Sequence, residues 1–226
     1  AITLLACEAS GSHYDAARPA GAAVELIHNF SLLHDDVQDQ SQTRHGRATT
    51  WTIWGANQAI NTGDMMYALA NLAIRRLSGQ GTDPALLARQ VFLVNDTCLE
   101  LTRGQHLDMA FETRDEVSVE EYLDMISGKT GALTATSAQI GAIAAGASAE
   151  VCEHYRQFGF NLGMAFQIQD DILDIWGDEQ QTGKQAAIDI YQRKKSLPVL
   201  YGLAQSESLR ALYRDYPVFA AAEVSQ

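Results

Sequence analysis

Residues 166–174 read FQIQDDILD, and the spacing of apolar and polar side chains in this stretch indicates a helix with one polar stripe. The stripe has the spacing i, i+3, i+4 and i+7 and consists of Gln167, Asp170, Asp171 and Asp174. Residues 31–39, SLLHDDVQD, end in the same DDxxD pattern. The chain is therefore predicted to contain two long apolar helices that each present aspartates on one face.

Six aspartates belong to the two patterns: Asp35, Asp36, Asp39, Asp170, Asp171 and Asp174. Carboxylates this close repel one another, which costs stability unless a cation lies between them. Basic residues follow both patterns, namely Arg44, His45 and Arg47 after the first and Lys184, Arg193, Lys194 and Lys195 after the second. One pattern alone is as compatible with a solvated surface as with a site. Two copies beside basic residues predict facing Mg²⁺ sites for a phosphate-containing substrate.

The composition excludes several classes of protein. The 226 residues carry 28 acidic and 16 basic side chains, so the formal net charge of −12 leaves no basic surface for nucleic acid. No stretch approaches the roughly 18 uninterrupted apolar residues of a membrane span, and no secretory signal pattern is present. Cys7, Cys98 and Cys152 lack a paired metal-ligand spacing, which predicts buried thiols in a reducing compartment. We expect a cytoplasmic protein.

Apolar residues at helical spacing and only 4 prolines predict an all-α protein. The predicted helices cover residues 22–36, 57–77, 84–107, 120–147 and 150–176, and another helix begins near Pro198. Residues 41–50 and 177–185 are predicted loops. The aromatic residues predicted to lie in the core are Trp51, Trp54, Phe92 and Phe111.

Several polar residues outside the aspartate patterns are candidates for the same site. Residues 128–131, GKTG, lack the upstream glycine and preceding strand of a nucleotide-binding loop, so nucleotide binding is not predicted. Lys129 either extends to the surface or points into a cavity as a phosphate ligand. His28 lies two helical turns before Asp35, while Gln105 and Asp108 form an i, i+3 pair. Each of these positions is also compatible with an ordinary exposed helix face.

The order of these motifs resembles that of the trans-isoprenyl diphosphate synthase (polyprenyl synthetase) family, above all its short-chain geranylgeranyl and farnesyl diphosphate synthases. SLLHDDVQD is followed by Thr43-Arg44-His45-Gly46, Gly63-Asp64, Gly104-Gln105, Gly128-Lys129-Thr130, residues 166–174 and Lys194-Lys195-Ser196. The resemblance extends from about residue 5 to residue 203, and two DDxxD patterns in this context are highly specific.

The resemblance implies a Mg²⁺-dependent prenyltransferase that joins isopentenyl diphosphate to dimethylallyl, geranyl or farnesyl diphosphate by ionisation, condensation and elimination. It implies an isoprenoid synthase-type bundle of antiparallel helices around a deep central cavity, assembled as a homodimer. Residues 1–226 are then a single domain that lacks the family's N-terminal segment and C-terminal helices.

Carried over residue by residue, the resemblance assigns three Mg²⁺ ions to Asp35, Asp39 and Asp170, with Asp36, Asp171 and Asp174 in support. The catalytic residues that it implies are Asp35, Asp36, Asp39, Lys129, Asp170 and Lys184. The substrate-binding residues that it implies are His28, Arg44, Gln105, Lys129, Thr130, Gln167, Lys184 and Lys195. His28 is assigned to isopentenyl diphosphate, and His45 stands where the family usually has a second arginine for that substrate.

Product length in this family depends mainly on the residues just before the first motif. Phe30 lies five positions before Asp35 and Ser31 lies four positions before it. One bulky residue here, with no insertion in DDVQD, is similar to the C20 synthases, while a second aromatic residue at Ser31 is typical of C15 synthases. A C20 product is therefore predicted, with C15 as the next choice.

Three other functions remain open at this point. A class I terpene cyclase shares the fold and the first motif but has an Asn/Ser/Glu triad in place of the second. A non-catalytic regulatory subunit of a heteromeric synthase typically loses one aspartate motif, whereas this chain has both. A helical metal-binding protein without catalysis leaves Arg44, Lys129 and Lys184 unexplained.

Overall fold

Helices form most of the protein in the computed structural model, which describes residues 1–177, 188–191 and 193–215. In chain order they are α1 Ile2–Ala9, α2 Arg18–Gln38, α3 Thr50–Trp54, α4 Ala56–Arg75, α5 Pro84–Glu112, α6 Val119–Ile126, α7 Ala132–Ala144, α8 Ala149–Trp176, α9 Ile188–Tyr191, α10 Leu197–Gln205 and α11 Glu207–Asp215. Shorter elements are the 3₁₀ turns Tyr14–Ala17 and Arg76–Gln80, the π-helical turn Ser127–Gly131, and the strands β1 Thr43–Arg44 and β2 Arg47–Ala48.

The helices α5, α6 and α8 begin where a side chain satisfies a free backbone N–H group. The Asp83 carboxylate accepts a hydrogen bond from the backbone N–H of Ala85, and Pro84 is the first residue of α5. Ser118 and Glu121 form a reciprocal capping box at the start of α6. These caps lie at loop ends, so they determine where the long helices start.

The core lies between the long helices, with α2 packed along α4 and α7 packed along α8. One buried cluster joins α2, α4, α5 and α7 and includes Ile27, Ala70, Ile74, Val94, Leu101 and Ile140. A second cluster joins the end of α5 to α6 and α10 and contains Phe111, Tyr122, Met125, Ile126 and Leu200. The second cluster borders the candidate site, because the hydroxyl of its Tyr122 contacts Asp171.

The all-α class is confirmed, and the predicted helices match the observed ones with small differences at their ends. The start at Pro84, the helix near Pro198 and the helix over residues 150–176 are all present. The stretch 120–147, predicted to contain closely packed helices, consists of α6 and α7, which the π-helical turn separates. A π-helical turn inserts one residue into the helical repeat, and such turns often occur at functional sites.

The predicted loop over residues 41–50 contains a small hairpin. Thr43 pairs with Ala48 and Arg44 pairs with Arg47. The two residues of its turn, His45 and Gly46, have φ values of 50° and 72°, which is the backbone geometry of a tight two-residue hairpin turn. The turn reverses the chain so that β2 pairs with β1, and His45 is exposed at the tip of the hairpin.

The core predictions for aromatic residues were partly wrong. Phe111 is buried, but Trp54 and Phe92 have 65% and 68% of their surface exposed. Trp51 is half-buried, and its indole N–H donates to the Ser41 carbonyl. Periodicity identifies an apolar face but does not say whether the chain covers that face. The three cysteines are free and buried, which confirms their predicted packing role.

None of the described helices combines the length and the apolar character that crossing a bilayer requires.

Candidate active site

Asp35, Asp36 and Asp39, here called the first aspartate segment, lie at the C-terminal end of α2. The hairpin directs Arg44 onto this segment, where its Nη2 donates to Asp35 Oδ2 at 2.9 Å and its Nε donates to Asp36 Oδ1 at 2.8 Å. One guanidinium therefore holds two adjacent carboxylates, which is the planar forked recognition that arginine makes best.

Lys129 reaches the first aspartate segment from the π-helical turn. Its Nζ donates to Asp108 Oδ2 at 2.5 Å and to Asp35 Oδ1 at 3.4 Å. The sequence left open whether Lys129 faces the surface, and the structure places it among these carboxylates. Asp108 lies on α5, one turn after Gln105. Of the polar pair predicted there, Asp108 is the residue that contacts Lys129 in the site.

Two glycines bring Lys129 to this position. A Cβ atom on Gly104 would lie 2.2 Å from the backbone nitrogen of Lys129, and one on Gly128 would lie 2.6 Å from the Glu100 carbonyl oxygen. Only glycine fits at both positions without moving backbone, so α5 and the π-helical turn lie in direct backbone contact. This contact places the Lys129 ammonium within reach of Asp108.

Lys194 contacts the same segment from the loop that precedes α10, with its Nζ 3.4 Å from Asp39 Oδ2. The neighbouring Lys195, which was the residue predicted to bind substrate, has its Nζ 5.2 Å from the centre of the Tyr213 ring. The structure thus brings Lys194 to the aspartates and places Lys195 against an aromatic ring. Adjacent residues in an extended segment point in opposite directions, and the sequence carries no signal that chooses between them.

The carboxylates and cations of this region shift one another's proton affinities. Burial alone would raise the pKa of Asp35, but Lys129, Lys194 and Arg44 together hold it below its usual value. Burial raises the pKa of Asp36, against the opposing effect of Arg44. Burial would lower the pKa of Lys129, yet Asp108 and Asp35 raise it. Lys129 and Asp35 are therefore both charged at neutral pH.

Asp170, Asp171 and Asp174, here called the second aspartate segment, lie near the C-terminal end of α8. The buried Asp171 accepts from the Tyr122 hydroxyl at 2.6 Å, from Gln167 Nε2 at 2.9 Å and from the Leu197 backbone N–H at 3.3 Å. Asp170 and Asp174 are half-buried on the same helix. The predicted polar stripe is therefore present, but its central carboxylate faces protein donors.

Thr130 and Gln167 connect the two segments. The Thr130 hydroxyl donates to Gln167 Oε1 at 2.7 Å, and Thr130 directly follows Lys129, which contacts Asp35. Within the π-helical turn, Lys129 therefore contacts the first aspartate segment, and Thr130 contacts Gln167 on the helix that carries the second. The family resemblance assigned Thr130 and Gln167 separately to substrate binding and did not indicate that the two side chains contact each other.

Asp189 adds a buried acid beside the second segment that sequence reasoning missed. Burial, together with the charges of Asp174 and Asp171, raises the pKa of Asp189 to about 6. It lies on the short helix α9, and no periodic pattern in the sequence marks it as part of a site.

The remaining predicted residues are less central in the structure. His28 is exposed on α2, and Gln105 Nε2 donates to Gln38 Oε1 at 2.9 Å. The Phe30 ring meets His34 and Tyr67 edge-on, with centroid distances of 5.6 and 5.7 Å. The Ser31 hydroxyl donates to the His28 carbonyl. Lys184 lies outside the described residues.

The donor chemistry of the two segments suits Mg²⁺, which binds one or two carboxylates together with phosphate oxygens and water. Among the described residues, no three Asp, Glu, His or Cys side chains lie close enough to hold an ion by themselves.

This combination of helical fold and paired aspartate segments defines a class of protein. The sequence model of the polyprenyl synthetase family matches residues 1–222, and the chain belongs to that family. The solved structures agree, since a polyprenyl synthetase from Streptomyces coelicolor A3(2) superimposes with a TM-score of 0.88 at 40% identity, covering 99% of this chain and 68% of that one. A geranylgeranyl pyrophosphate synthetase from Pyrococcus horikoshii Ot3 gives a TM-score of 0.92 at 36% identity, with the same coverage.

Curated relatives include synthases of two product lengths. The geranylgeranyl diphosphate synthase of Mycobacterium tuberculosis is 41% identical over 230 residues, which is 100% of this chain and 65% of that protein. The (2E,6E)-farnesyl diphosphate synthase of Mycobacterium bovis is 41% identical over 208 residues, which is 92% of this chain and 56% of that protein. The chain thus spans less than two thirds of the length of these relatives.

Proposed function

We propose that this chain carries the catalytic site of a short-chain trans-prenyl diphosphate synthase, which joins isopentenyl diphosphate to an allylic diphosphate. The observation that carries the proposal is the π-helical turn, where Lys129 contacts Asp35 and the adjacent Thr130 contacts Gln167. Two neighbouring residues thereby connect the two aspartate-bearing helices at one polar site. Family membership and the similarity to named prenyl diphosphate synthases support the same reaction.

The proposed metal ligands are Asp35, Asp39 and Asp170, which would hold Mg²⁺ ions, three in all, with Asp36 and Asp174 nearby. Mg²⁺ supplies charge neutralisation of the diphosphate, as a Lewis acid does for a departing anion. Arg44, Lys129 and Lys194 pair with carboxylates in this structure. With those carboxylates on metal, the three cations would donate to diphosphate oxygens, and Lys129 would keep its contact with Asp108. Lys184 is proposed as a further diphosphate ligand.

The reaction breaks the C1–O bond of the allylic diphosphate and leaves an allylic cation. Lys129 and Arg44 stabilise the negative charge that develops on the leaving diphosphate. His28 and Gln105 remain proposed substrate contacts, with His28 proposed for isopentenyl diphosphate. Lys194, which contacts Asp39, takes the role first proposed for Lys195. The double bond of isopentenyl diphosphate then attacks C1, so its positioning contributes much of the rate. The departing diphosphate takes up the proton that the product loses.

Product length is proposed to depend on Phe30 and Ser31. Phe30 lies edge-on to Tyr67, so two rings from α2 and α4 meet one and a half turns before Asp35. The Phe30–Tyr67 pair supports a substrate cavity that aromatic rings close at this point along α2. The small side chain of Ser31 leaves space beside these rings. A C20 product is proposed, with C15 as the next choice.

The first experiment is product analysis with Mg²⁺, radiolabelled isopentenyl diphosphate, and dimethylallyl, geranyl or farnesyl diphosphate in turn. An elongated diphosphate that disappears in Asp35→Ala and Asp170→Ala supports the proposal. A cyclic hydrocarbon from the allylic substrate alone would instead identify a terpene cyclase. If neither product forms, the chain is a partner subunit or a non-catalytic binder.

A variant in the aromatic pair tests the proposed control of product length. Phe30→Ala removes the ring that meets Tyr67, so we expect longer products at a similar total rate of isopentenyl incorporation. Each added methylene that a pocket accepts is worth about 1–3 kcal/mol. Phe158→Ala, which removes an exposed ring from α8, is the matched control. Unchanged products in Phe30→Ala would remove this residue from the role.

The proposed protein partner is a second copy of this chain. Phe92 and Leu99 on α5 are 68% and 70% exposed, and Arg89 and Asp96 lie one turn to either side of Phe92. In a twofold contact each copy presents the same face. A second α5 laid antiparallel across Phe92 therefore places Arg89 beside the Asp96 of the other copy. Sedimentation of the protein as a dimer, and of Phe92→Asp as a monomer, tests this arrangement.

A further inference from the structure

A buried chain of hydrogen bonds connects α6, α8 and the π-helical turn. The Tyr122 hydroxyl donates to Asp171 Oδ2 at 2.6 Å, and Gln167 Nε2 donates to Asp171 Oδ1 at 2.9 Å. The Thr130 hydroxyl donates to Gln167 Oε1 at 2.7 Å. Tyr122 is fully buried and Asp171 is 6% exposed. We call these four residues the Tyr122–Thr130 chain.

The hydrogen bonds of the Tyr122–Thr130 chain have a fixed donor-to-acceptor direction, because an ionised carboxylate accepts hydrogen bonds and never donates them. Gln167 must therefore turn its amide nitrogen toward Asp171 and its carbonyl oxygen toward Thr130. The single proton of the Thr130 hydroxyl then points at Gln167. The lone pairs of Thr130 are then left to accept from another donor. The direction of the Thr130 hydroxyl is thus set by Asp171, two hydrogen bonds away, and Tyr122 holds that carboxylate through the third.

Protein donors occupy three of the roughly four lone-pair positions of the Asp171 carboxylate. Its Oδ2 accepts from both the Tyr122 hydroxyl and the Leu197 backbone N–H, and its Oδ1 accepts from Gln167. Binding a metal through Oδ2 would leave one of these donors without its partner. The family resemblance assigns metal binding to Asp170 and only support to Asp171, and these contacts fit that division.

We propose that Tyr122 is a positioning residue which, through Asp171 and Gln167, fixes the Thr130 hydroxyl beside Lys129, and that Asp171 is its acceptor rather than a metal ligand. The proposal rests on the proposed synthase function for its kinetic consequence. Its structural part, the role of Asp171, does not depend on that function. The ring of Tyr122 packs with Phe111, Met125 and Leu200, so Tyr122→Phe removes the hydroxyl and leaves the packing in place.

The kinetic experiment compares the unmodified protein, Tyr122→Phe and Tyr155→Phe. Tyr155 is a half-buried tyrosine on α8 that packs near Cys152 at the other end of the helix, which makes it a matched control. We expect Tyr122→Phe to lower kcat and kcat/KM for the allylic diphosphate equally, by about 10- to 100-fold, as losses of supporting hydrogen bonds at metal sites do. Equal kcat in Tyr122→Phe and Tyr155→Phe would overturn the proposal.

A double-mutant cycle separates positioning from lost stability. If Tyr122 acts through Gln167, then Tyr122→Phe lowers kcat in the unmodified protein and has no further effect in a Gln167→Leu background. A purely structural role would give the same loss in both backgrounds, together with a fall in Tm that follows the loss of kcat. That additive result would contradict the proposal.

Metal binding tests Asp171 without any turnover. Mn²⁺ is titrated in the presence of inorganic pyrophosphate and followed by electron paramagnetic resonance. We expect Asp170→Asn to weaken Mn²⁺ binding, while Asp171→Asn and Tyr122→Phe leave it unchanged. Equal weakening in Asp170→Asn and Asp171→Asn would make Asp171 a metal ligand and overturn its assignment. If the unmodified protein makes no elongated product, the synthase function fails while this titration still decides the role of Asp171.

Discussion

The two aspartate segments have the same spacing in the sequence, but Asp35 in the first and Asp171 in the second have different surroundings in the structure. Arg44, Lys129 and Lys194 lie within 3.4 Å of carboxylates in the first segment. The carboxylate of Asp171 in the second segment accepts from uncharged donors. A repeated motif therefore specifies the ligand type in both places, but tertiary contacts decide the local charge balance.

Opposite pH dependences are predicted for Asp35 and for Asp189. The pKa of Asp35 is held low by its cations despite burial, so its contribution to stability is present above its unfolded pKa and is lost as the pH falls. The pKa of Asp189, beside the second segment, is raised. Its contribution is present below its unfolded pKa and is lost as the pH rises. Variants at Lys129, Asp189 and Lys194 test how far these surroundings control activity and stability.

The largest effect is expected from Lys129→Met, which removes the cation that contacts both Asp35 and Asp108. We expect kcat to fall about 100- to 1,000-fold, the usual cost of losing one donor to developing charge. The measurement is steady-state elongation of the allylic diphosphate. Arg103→Met, which breaks an exposed ion pair with Asp124 on the outer side of α5, is the control. Similar rates in the two variants would mean that Lys129 does not contact the reacting diphosphate.

A smaller effect on stability is expected from Asp189→Asn. Because the pKa of Asp189 rises from 3.8 to about 6 on folding, ionising it costs the folded protein about 3 kcal/mol at 1.36 kcal/mol per pKa unit. The amide does not incur this cost. The variant should therefore match the unmodified protein at pH 4 and exceed it at pH 7.

Urea denaturation between pH 4 and pH 7, in buffer without divalent cations, measures this difference. Asp115→Asn, at an exposed position after α5, controls for the loss of one negative charge. A gain in the free energy of unfolding that does not change with pH would contradict the assigned titration of Asp189.

The smallest effect is expected in the comparison of Lys194→Met with Lys195→Met. Lys194 contacts Asp39, whereas Lys195 lies over the Tyr213 ring. We expect Lys194→Met to raise KM for the allylic diphosphate by about tenfold more than Lys195→Met, since a charge-assisted contact is worth about 1.5–3 kcal/mol. A larger loss in Lys195→Met would restore the assignment made from the motif alone.

Local sequence patterns were enough to predict the all-α class, the start of α5 and the polar stripe of the candidate site. The Asp83–Pro84 start and the spacing of Gln167 to Asp174 act within one helix, so local rules predict them. The order of motifs also identified the family, because each motif is a short contiguous pattern.

The pairs of residues that meet in the site follow from long-range packing. Asp108 and Lys129 meet because Gly104 and Gly128 let two backbones touch, and no pattern within either helix encodes that contact. Tyr122 reaches Asp171 across 49 residues of sequence, and Lys194 rather than Lys195 faces Asp39 because the loop before α10 sets its direction. Long-range packing selects these pairs, so helical periodicity, which describes one element at a time, could not predict them.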